Sequence, residues 1–429
     1  SSLIKNISGL SIKLIAEPED KRIDSYMTAG NEARLTTNRG DIITALGIQS
    51  INVQRSNEAP ISQTAHIFRS IKHPDEVQTL RNVYGDGFYL LGISSSKSCR
   101  LKYLKGKGIS RKRATKLIAR DESEEMKFGQ HTREAFHLAD CFVNIDDTNF
   151  CDQVGRFLDL IFGKPFLTPT KDEYSMFLAF ASSLRSGDLS RQVGAVITSP
   201  FGEIISTGAN DVPSPGGGLY WTDDGNNDFR DFKRGFDANE KQRNDIIINI
   251  MKKFEKEPLS DDELIEKGKS LFQDTRILDI TEYGRAVHAE MEAIISCARS
   301  GVSPRNGTLY CTTFPCHNCA KHIVAAGLSN VVFIEPYPKS LASQLHSDAI
   351  LLFNEEHLKE KDQKVVFRPF VGIGPRRYID FFSMKLSSGY SLVRKEKGKI
   401  VDWQRNKSQV RVPLNAISYI DKEISLMAE

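Results

Sequence analysis

Apolar positions along this chain change their spacing several times, and each change predicts an element. Ala65-His66-Ile67-Phe68 and Phe88 to Ile93 are short apolar runs that predict buried strands. Pro74 to Tyr84 between them predicts a helix, giving the βαβ rhythm of a parallel sheet. A charged helix is predicted from Ser110 to Glu125, and Cys141-Phe142-Val143-Asn144-Ile145 supplies a further strand. From Thr168 the character changes. Between Asp172 and Arg185, the residues Tyr174, Phe177, Leu178, Phe180, Ala181 and Leu184 recur mostly three or four apart, the signature of an amphipathic helix. Gln192 to Thr198 and Glu203 to Thr207 are β-branched and separated by Ser199-Pro200-Phe201-Gly202, which predicts a hairpin. A long polar insertion at 211–285, with a helix near Asn244 to Lys256, interrupts the pattern. Helix, strand, helix and strand then follow at His288–Arg299, Thr308–Thr312, Cys316–Ala326 and Asn330–Ile334, and a late hairpin is predicted around Gly389 and Gly398.

A length of 429 residues exceeds one ordinary core, so two α/β domains are expected, residues 1–165 and 166–429. Hydrophobic content of 40% and charged content of 26% fit a chain that folds in water. No apolar run approaches the roughly 20 residues that span a bilayer, and Ser1-Ser2-Leu3-Ile4-Lys5 has no signal-peptide anatomy. The expectation is a cytoplasmic protein without a membrane partner. The net charge of +3 does not point to a polyanion, but between Lys97 and Arg120 ten Lys or Arg occur with no Asp or Glu. That run reads either as a solvated helical face or as a phosphate-facing lid or nucleic-acid patch. In order and character, residues 1–165 are similar to the later half of P-loop nucleotide kinases, where a basic lid follows a central strand. The G-x-x-x-x-G-K-[ST] run that wraps phosphates is absent from the sequence, so kinase activity of this chain is not expected.

The chemistry concentrates in two segments. His288-Ala289-Glu290 and Pro315-Cys316-His317-Asn318-Cys319 supply one imidazole and two thiolates, three ligands for a tetrahedral Zn²⁺ that keeps its fourth position for water. Cys316 and Cys319, three apart at a helix start, share one face and lie at the positive end of the helix dipole. His288 completes the set from the neighbouring helix. Glu290, two residues from the histidine, is placed to move protons: from water to the ring N3, then to the leaving amino group. This is the equipment of a hydrolytic deaminase acting on cytosine or adenine. The plainer alternative is a structural zinc knob, which would close with a fourth ligand, and His322 is the nearby candidate.

These residues also carry a family resemblance. The run from Ser183 to Ile197 (SLRSGDLSRQVGAVI), followed by Gly208-Ala209-Asn210, resembles the front of deoxycytidylate deaminases, and with the zinc segments the likeness covers most of 170–370. Together with the N-terminal part and Tyr337-Pro338-Lys339-Ser340, the whole chain looks like the anti-phage dCTP deaminases. In these a P-loop-kinase-like parallel-sheet domain is joined to a cytidine-deaminase-like three-layer α/β/α domain. The resemblance implies one zinc per chain, deamination of free deoxycytidine nucleotides (dCTP, with dCMP) and a homo-oligomer. It also implies that Asn210 contacts the sugar and that the loop from Ser186 to Arg191 lies near phosphate. A surface or subunit salt bridge is the alternative for Arg191. Arg376-Arg377 could meet further phosphates or be solvated. The N-terminal domain's candidate ligands are a nucleotide or an inhibitor. One departure is Glu292, where many deoxycytidylate deaminases carry Asn. The other is the 211–285 insertion, whose Tyr220, Trp221, Phe229, Phe232 and Phe236 suit a lid or a subunit contact better than a spacer. A housekeeping dCMP deaminase and a single-stranded nucleic-acid cytosine deaminase are the alternative activities.

Overall fold

The computed structural model describes residues 4, 11–55, 60–61, 63–122, 124, 126, 128–255, 257–273, 275–335, 340–352, 364–412 and 416–428. Its strands in chain order are β1 (Leu91–Ser94), β2 (Cys141–Asn144), β3 (Gly194–Thr198), β4 (Ile204–Ala209), β5 (Thr308–Thr313), β6 (Asn330–Glu335), β7 (Ile350–Leu352), β8 (Val365–Pro369), β9 (Gly372–Ile373), β10 (Lys395–Glu396) and β11 (Lys399–Ile400). The chain divides into two compact units, Ser1–Glu173 with Pro369–Glu429, and Tyr174–Arg368. A single cut at 165 does not reproduce this division, because Pro369–Glu429 packs with the first unit. No helix among the described residues is long and apolar enough to cross a membrane.

In the first unit β1 and β2 pair in parallel, with Leu91 opposite Cys141, and β9 adds antiparallel to β2. Helix Pro74–Tyr84 forms over the predicted residues. His73 caps its start by accepting from Asp75 N, Pro74 occupies the first turn and Glu76 completes a capping box. The expected strand at 65–68 is absent. Ile67 is exposed there, and of the four residues Phe68 is the one that plugs into the small core of Ile48, Leu80 and Val83. An extended segment held by one aromatic needs no ladder. The basic run becomes helices Lys97–Gly106 and Arg111–Glu122, and its arginines partly serve internal pairing: Arg100 with Glu122, Arg113 with Asp20 and Asp24, Arg120 with Asp24 and Glu124. Arg377 is likewise internal, bonded to Asp86 at 3.1 Å and Asp380 at 3.0 Å, so the phosphate reading fails for it, whereas Arg376 is exposed. The late hairpin is β10–β11, turning at Lys397-Gly398 and leaving Gly389 outside.

Long-range bonds explain why the C-terminal residues join this unit. Arg411 is fully buried and donates to the carbonyl of Phe381 at 2.7 Å, Trp403 Nε1 donates to the carbonyl of Phe162, and Arg405 pairs with Asp159. Helix Ala416–Ala428 is anchored by Glu423, which is wholly buried and accepts two bonds from Arg55 at 2.9 and 3.0 Å. Exchanging Glu423 for Gln keeps the shape but strands a buried guanidinium. We expect the variant to lose about 3–5 kcal/mol of unfolding free energy, read by guanidinium titration. An unchanged midpoint would show that water reaches Arg55.

The second unit is a six-stranded sheet in the order β4-β3-β5-β6-β8-β7. The predicted hairpin is present as β3 and β4, antiparallel to each other. β5 joins β3 antiparallel and β6 joins β5 in parallel. Every residue of β3 is buried, so both faces must be covered. On one face, Ala195 and Ile197 pack with Ala289, Ala293 and Cys297 of helix Ala289–Ser300 and with Cys319, Ala320 and Ile323 of helix His317–Ala325. On the other face lies helix Lys171–Ser183, to which Gly194 comes so near that an added Cβ would overlap the carbonyl of Ala179. Gly208, opposite Ala195, has the same relation to helix Ala289–Ser300: a Cβ there would overlap the carbonyl oxygen of Ala289 and lie 2.6 Å from Ala293 N. This α/β/α layering is the arrangement expected for the catalytic domain. Much of the insertion is folded. Helices Ala238–Phe254 and Asp261–Leu271 bury Ile247, Met251 and Leu264 against each other, which excludes the spacer reading for them.

Candidate metal centre and catalytic pocket

His288 and Cys316 are the N-cap residues of the two helices on the inner face of the sheet. Cys316 Sγ accepts from Cys319 N at 3.4 Å, so the thiol takes the place that Ser or Asp usually fills at a helix start. Both sulfurs converge on one ring nitrogen, with His288 Nδ1 3.4 Å from Cys316 Sγ and 3.3 Å from Cys319 Sγ. These donor atoms all lie within 4.8 Å of one another. Tetrahedral zinc with bonds of about 2.3 Å to sulfur and about 2.0 Å to nitrogen would hold S and N about 3.5 Å apart. The donor set therefore fits such an ion in chemistry and in spacing. His322 is not part of the group: its Nδ1 bonds to the carbonyl of Asn318 in its own helix, at 2.7 Å, so no fourth protein ligand comes from there.

The thiols are electrostatically unequal. Cys316 is pushed down to about 3 by the hydrogen bond from Cys319 and then by His288, while Cys319 is driven far up by that same bond and by burial. His288 is raised, chiefly by its bond to Cys316. Proton binding at the three groups is thus coupled, and a cation bound among them would compete with those protons. Glu290, two residues into its helix, is 5% exposed, and burial raises its carboxyl above the ordinary range. Cys311 of β5, wholly buried, feels the Glu290 charge. This neighbour gave no sequence signal, since a lone cysteine in a strand reads as core.

The centre opens into a cavity of about 650 Å³, lined also by Val193, Asn210, Thr313, Phe314 and His317. The loop expected to meet phosphate is stitched internally. Ser186 Oγ donates to the carbonyl of Asn210 at 2.5 Å and accepts from Asp188 N, and the Asp188 carboxylate accepts from the backbone of Ser190 and Arg191. Asn210 spans the loop: Oδ1 accepts from Val193 N at 2.6 Å and Nδ2 donates to the carbonyl of Arg191 at 2.8 Å, which leaves one amide hydrogen for a ligand. Of the three residues assigned to substrate, Asn210 and Arg191 line the cavity and Ser186 does not. Arg191 also stands 3.6 Å from Glu335, so the ion-pair reading and the cavity reading both describe it. Glu292 pairs with Arg299 and does not line the cavity.

The insertion reaches this pocket through residues that sequence reasoning left unassigned. Asp231, Asp237, Asn239, Arg276 and Arg285 line the cavity. A buried ionic cluster fastens the insertion to the loop. Arg230 binds Asp228 at 2.7 Å and lies 3.6 Å from Asp211, whose carboxylate also accepts from Gly187 N at 3.1 Å. Arg185 stacks 3.5 Å over the Trp221 ring and donates to the carbonyl of Tyr220. Of the segment Tyr337-Pro338-Lys339-Ser340, the first three residues lie outside the described set, and Ser340 Oγ donates to the carbonyl of Pro315 at 2.8 Å.

Residues 169–335 match the family described as the cytidine and deoxycytidylate deaminase zinc-binding region. ComE operon protein 2 of Bacillus subtilis is similar, 42% identical over 53 residues, which is 12% of this chain and 28% of that protein. Deoxycytidylate deaminase of Homo sapiens is 27% identical over 212 residues, covering 49% of this chain and 86% of that protein. A crystal structure of dCMP deaminase from the cyanophage S-TIM5 aligns with 47% of this chain and 99% of its own at 18% identity, with a TM-score of 0.25. The match to the Bacillus protein spans less than a third of that relative. His288, Cys316, Cys319, Glu290 and the loop at 186–191 all fall inside the segment that matches the cytidine and deoxycytidylate deaminase zinc-binding region.

Proposed function

We propose that this protein is a zinc-dependent enzyme that hydrolytically deaminates free deoxycytidine nucleotides, dCTP together with dCMP, to deoxyuridine nucleotides and ammonia. The observation that carries the reading is the placement of buried Glu290 with a His–Cys–Cys group in the lining of a cavity large enough for a nucleotide. His288, Cys316 and Cys319 would hold the ion. When bound, zinc supplies a Lewis acid that brings the pKa of water to about 7. Glu290 would take one proton from water and deliver it to N3 of the pyrimidine as the water oxygen bonds to C4, then take the remaining proton from the new C4 hydroxyl and pass it to the amino group as the C4–N bond breaks and ammonia leaves. Burial supports this role, because a carboxyl with a raised pKa can hold the proton between the two transfers. Phe314 supplies an apolar wall, and Asn210 keeps an amide hydrogen for the sugar.

The resemblance to anti-phage dCTP deaminases supports depletion of the dCTP pool as the biological role, with a homo-oligomer as the assembly. The first unit is then a P-loop-kinase-like partner domain without the phosphate-wrapping run, supported by its parallel β1–β2 pair. Substrate profiling tests the activity. At one fixed concentration, dCTP and dCMP are expected to release ammonia and single-stranded oligodeoxycytidylate to release none. Turnover of the oligonucleotide alone would overturn the free-nucleotide reading, and turnover of dCMP without dCTP would leave the housekeeping reaction.

A further inference from the structure

We infer that Arg276, carried by the insertion, is a specificity-determining residue that reads the phosphates of a nucleoside triphosphate beyond the first. The inference rests on the proposed deamination of deoxycytidine nucleotides and adds to it the residue that separates triphosphate from monophosphate.

Three guanidinium groups line the cavity that contains His288 and Glu290: Arg191, Arg276 and Arg285. Two of them already have work. Arg285 donates to Asp231 at 2.6 Å and to the carbonyl of Phe229 at 3.0 Å. Arg191 lies within reach of Glu335, and its charge acts on His288 and Cys311, which puts it close to the reacting end of the pocket. Arg276 differs. It is exposed, and its side chain forms no hydrogen bond or ion pair among the described residues. It is therefore an unengaged cation on the cavity wall, carried by the insertion and not by the loop that holds Arg191.

Among the described residues, no carboxylate of the same wall is paired with it. Asp231 pairs with Arg285, Asp188 is bonded by the backbone of its own loop, Asp237 by Glu240 N at the start of helix Ala238–Phe254 and Glu282 by Thr281 N, and Asp279, three residues on in the same turn, has an engagement of its own. A substrate whose base sits at His288 and Glu290 projects its sugar and phosphates outward, past Arg191 toward the insertion. A planar guanidinium suits two oxygens of a phosphate, and a polyphosphate brings enough charge to order an exposed arginine. A monophosphate already met by Arg191 and its loop leaves Arg276 no second phosphate to bind.

The test is steady-state kinetics of the zinc-loaded full chain on dCTP and dCMP, comparing wild type with Arg276→Ala, Arg276→Gln and Arg276→Lys. Removing the charge is expected to raise KM for dCTP about tenfold or more, with kcat little changed. The ratio of kcat/KM for dCTP to that for dCMP should fall by the same factor, and Lys should restore part of it. A merely structural residue would move both substrates together. A ratio unchanged in both Ala and Gln variants, in an enzyme that deaminates both nucleotides, overturns the inference and leaves the proposed function standing. A wild-type enzyme inert on every deoxycytidine nucleotide overturns the proposed function first.

Discussion

Glu290→Gln should lower kcat by about 10³-fold or more while zinc content and KM stay close to those of the unmodified protein. Gln matches the carboxylate in volume and retains an acceptor, so the 0%-exposed core formed by Ala289, Ala293 and Cys297 on the same helix is undisturbed. What it cannot do is carry a proton from one atom to another. Glu290 is not among the donor atoms that converge on one another, which are the imidazole of His288 and the sulfurs of Cys316 and Cys319. Metal analysis of the purified variant, alongside ammonia release from dCTP and dCMP, separates the two roles. Retained turnover would remove Glu290 from the reaction and with it the proposed chemistry. Loss of zinc would instead make the carboxylate part of the metal's support.

The second large effect is expected far from any reacting atom. Replacing Gly208 with Ala should cost about 3 kcal/mol or more of stability and weaken zinc retention in the same protein. Helix Ala289–Ser300 lies directly on the backbone of β4 at this glycine, and a methyl group would collide with Ala289 and Ala293. The neighbours in conflict are backbone atoms, which cannot swing aside as a long side chain would. Relief requires the helix to move off the sheet, and its first residues are those adjoining His288 and Glu290. A parallel Gly398→Ala exchange, at an exposed hairpin with open space around it, controls for loss of glycine as such, although its positive φ carries a small penalty. Calorimetric unfolding and competition with a chelator read the two effects. A Gly208→Ala protein with unaltered melting and metal affinity would mean that helix and strand slide apart without consequence.

The convergence of His288, Cys316 and Cys319 was legible because the spacing of these residues encodes geometry. A proline followed by two cysteines three apart belongs at a helix start, and the structure puts Cys316 at the N-cap and Cys319 three residues on. The hairpin of β3 and β4 was legible from β-branched runs around Pro200-Phe201-Gly202. Helix Ala238–Phe254 begins six residues before its expected start. Its opening turns are polar and hide the period, although Asp237, accepting from Glu240 N, is a capping signal present in the sequence. The partner of residues 369–429 could not be read, because β9 against β2 and Glu423 against Arg55 join positions more than 200 residues apart. Asn210 shows a different gap. It lines the cavity, yet two of its polar atoms are engaged in bracing Val193 and Arg191, and local sequence does not reveal who competes for an amide. Arg377, adjacent to exposed Arg376, is internal for the same reason.

Asp211 holds one oxygen toward Gly187 of the 186–191 loop and toward Arg230 of the inserted segment, and its other oxygen accepts from Val212 N. A transplant of the inserted segment into a shorter deaminase must therefore carry Asp211, Asp228 and Arg230 as one set, together with a glycine amide at the receiving turn. Designers who trim the segment for expression inherit the converse duty, since an acid left at 211 without its guanidinium would be a lone negative charge sealed from water beneath the rim of the pocket.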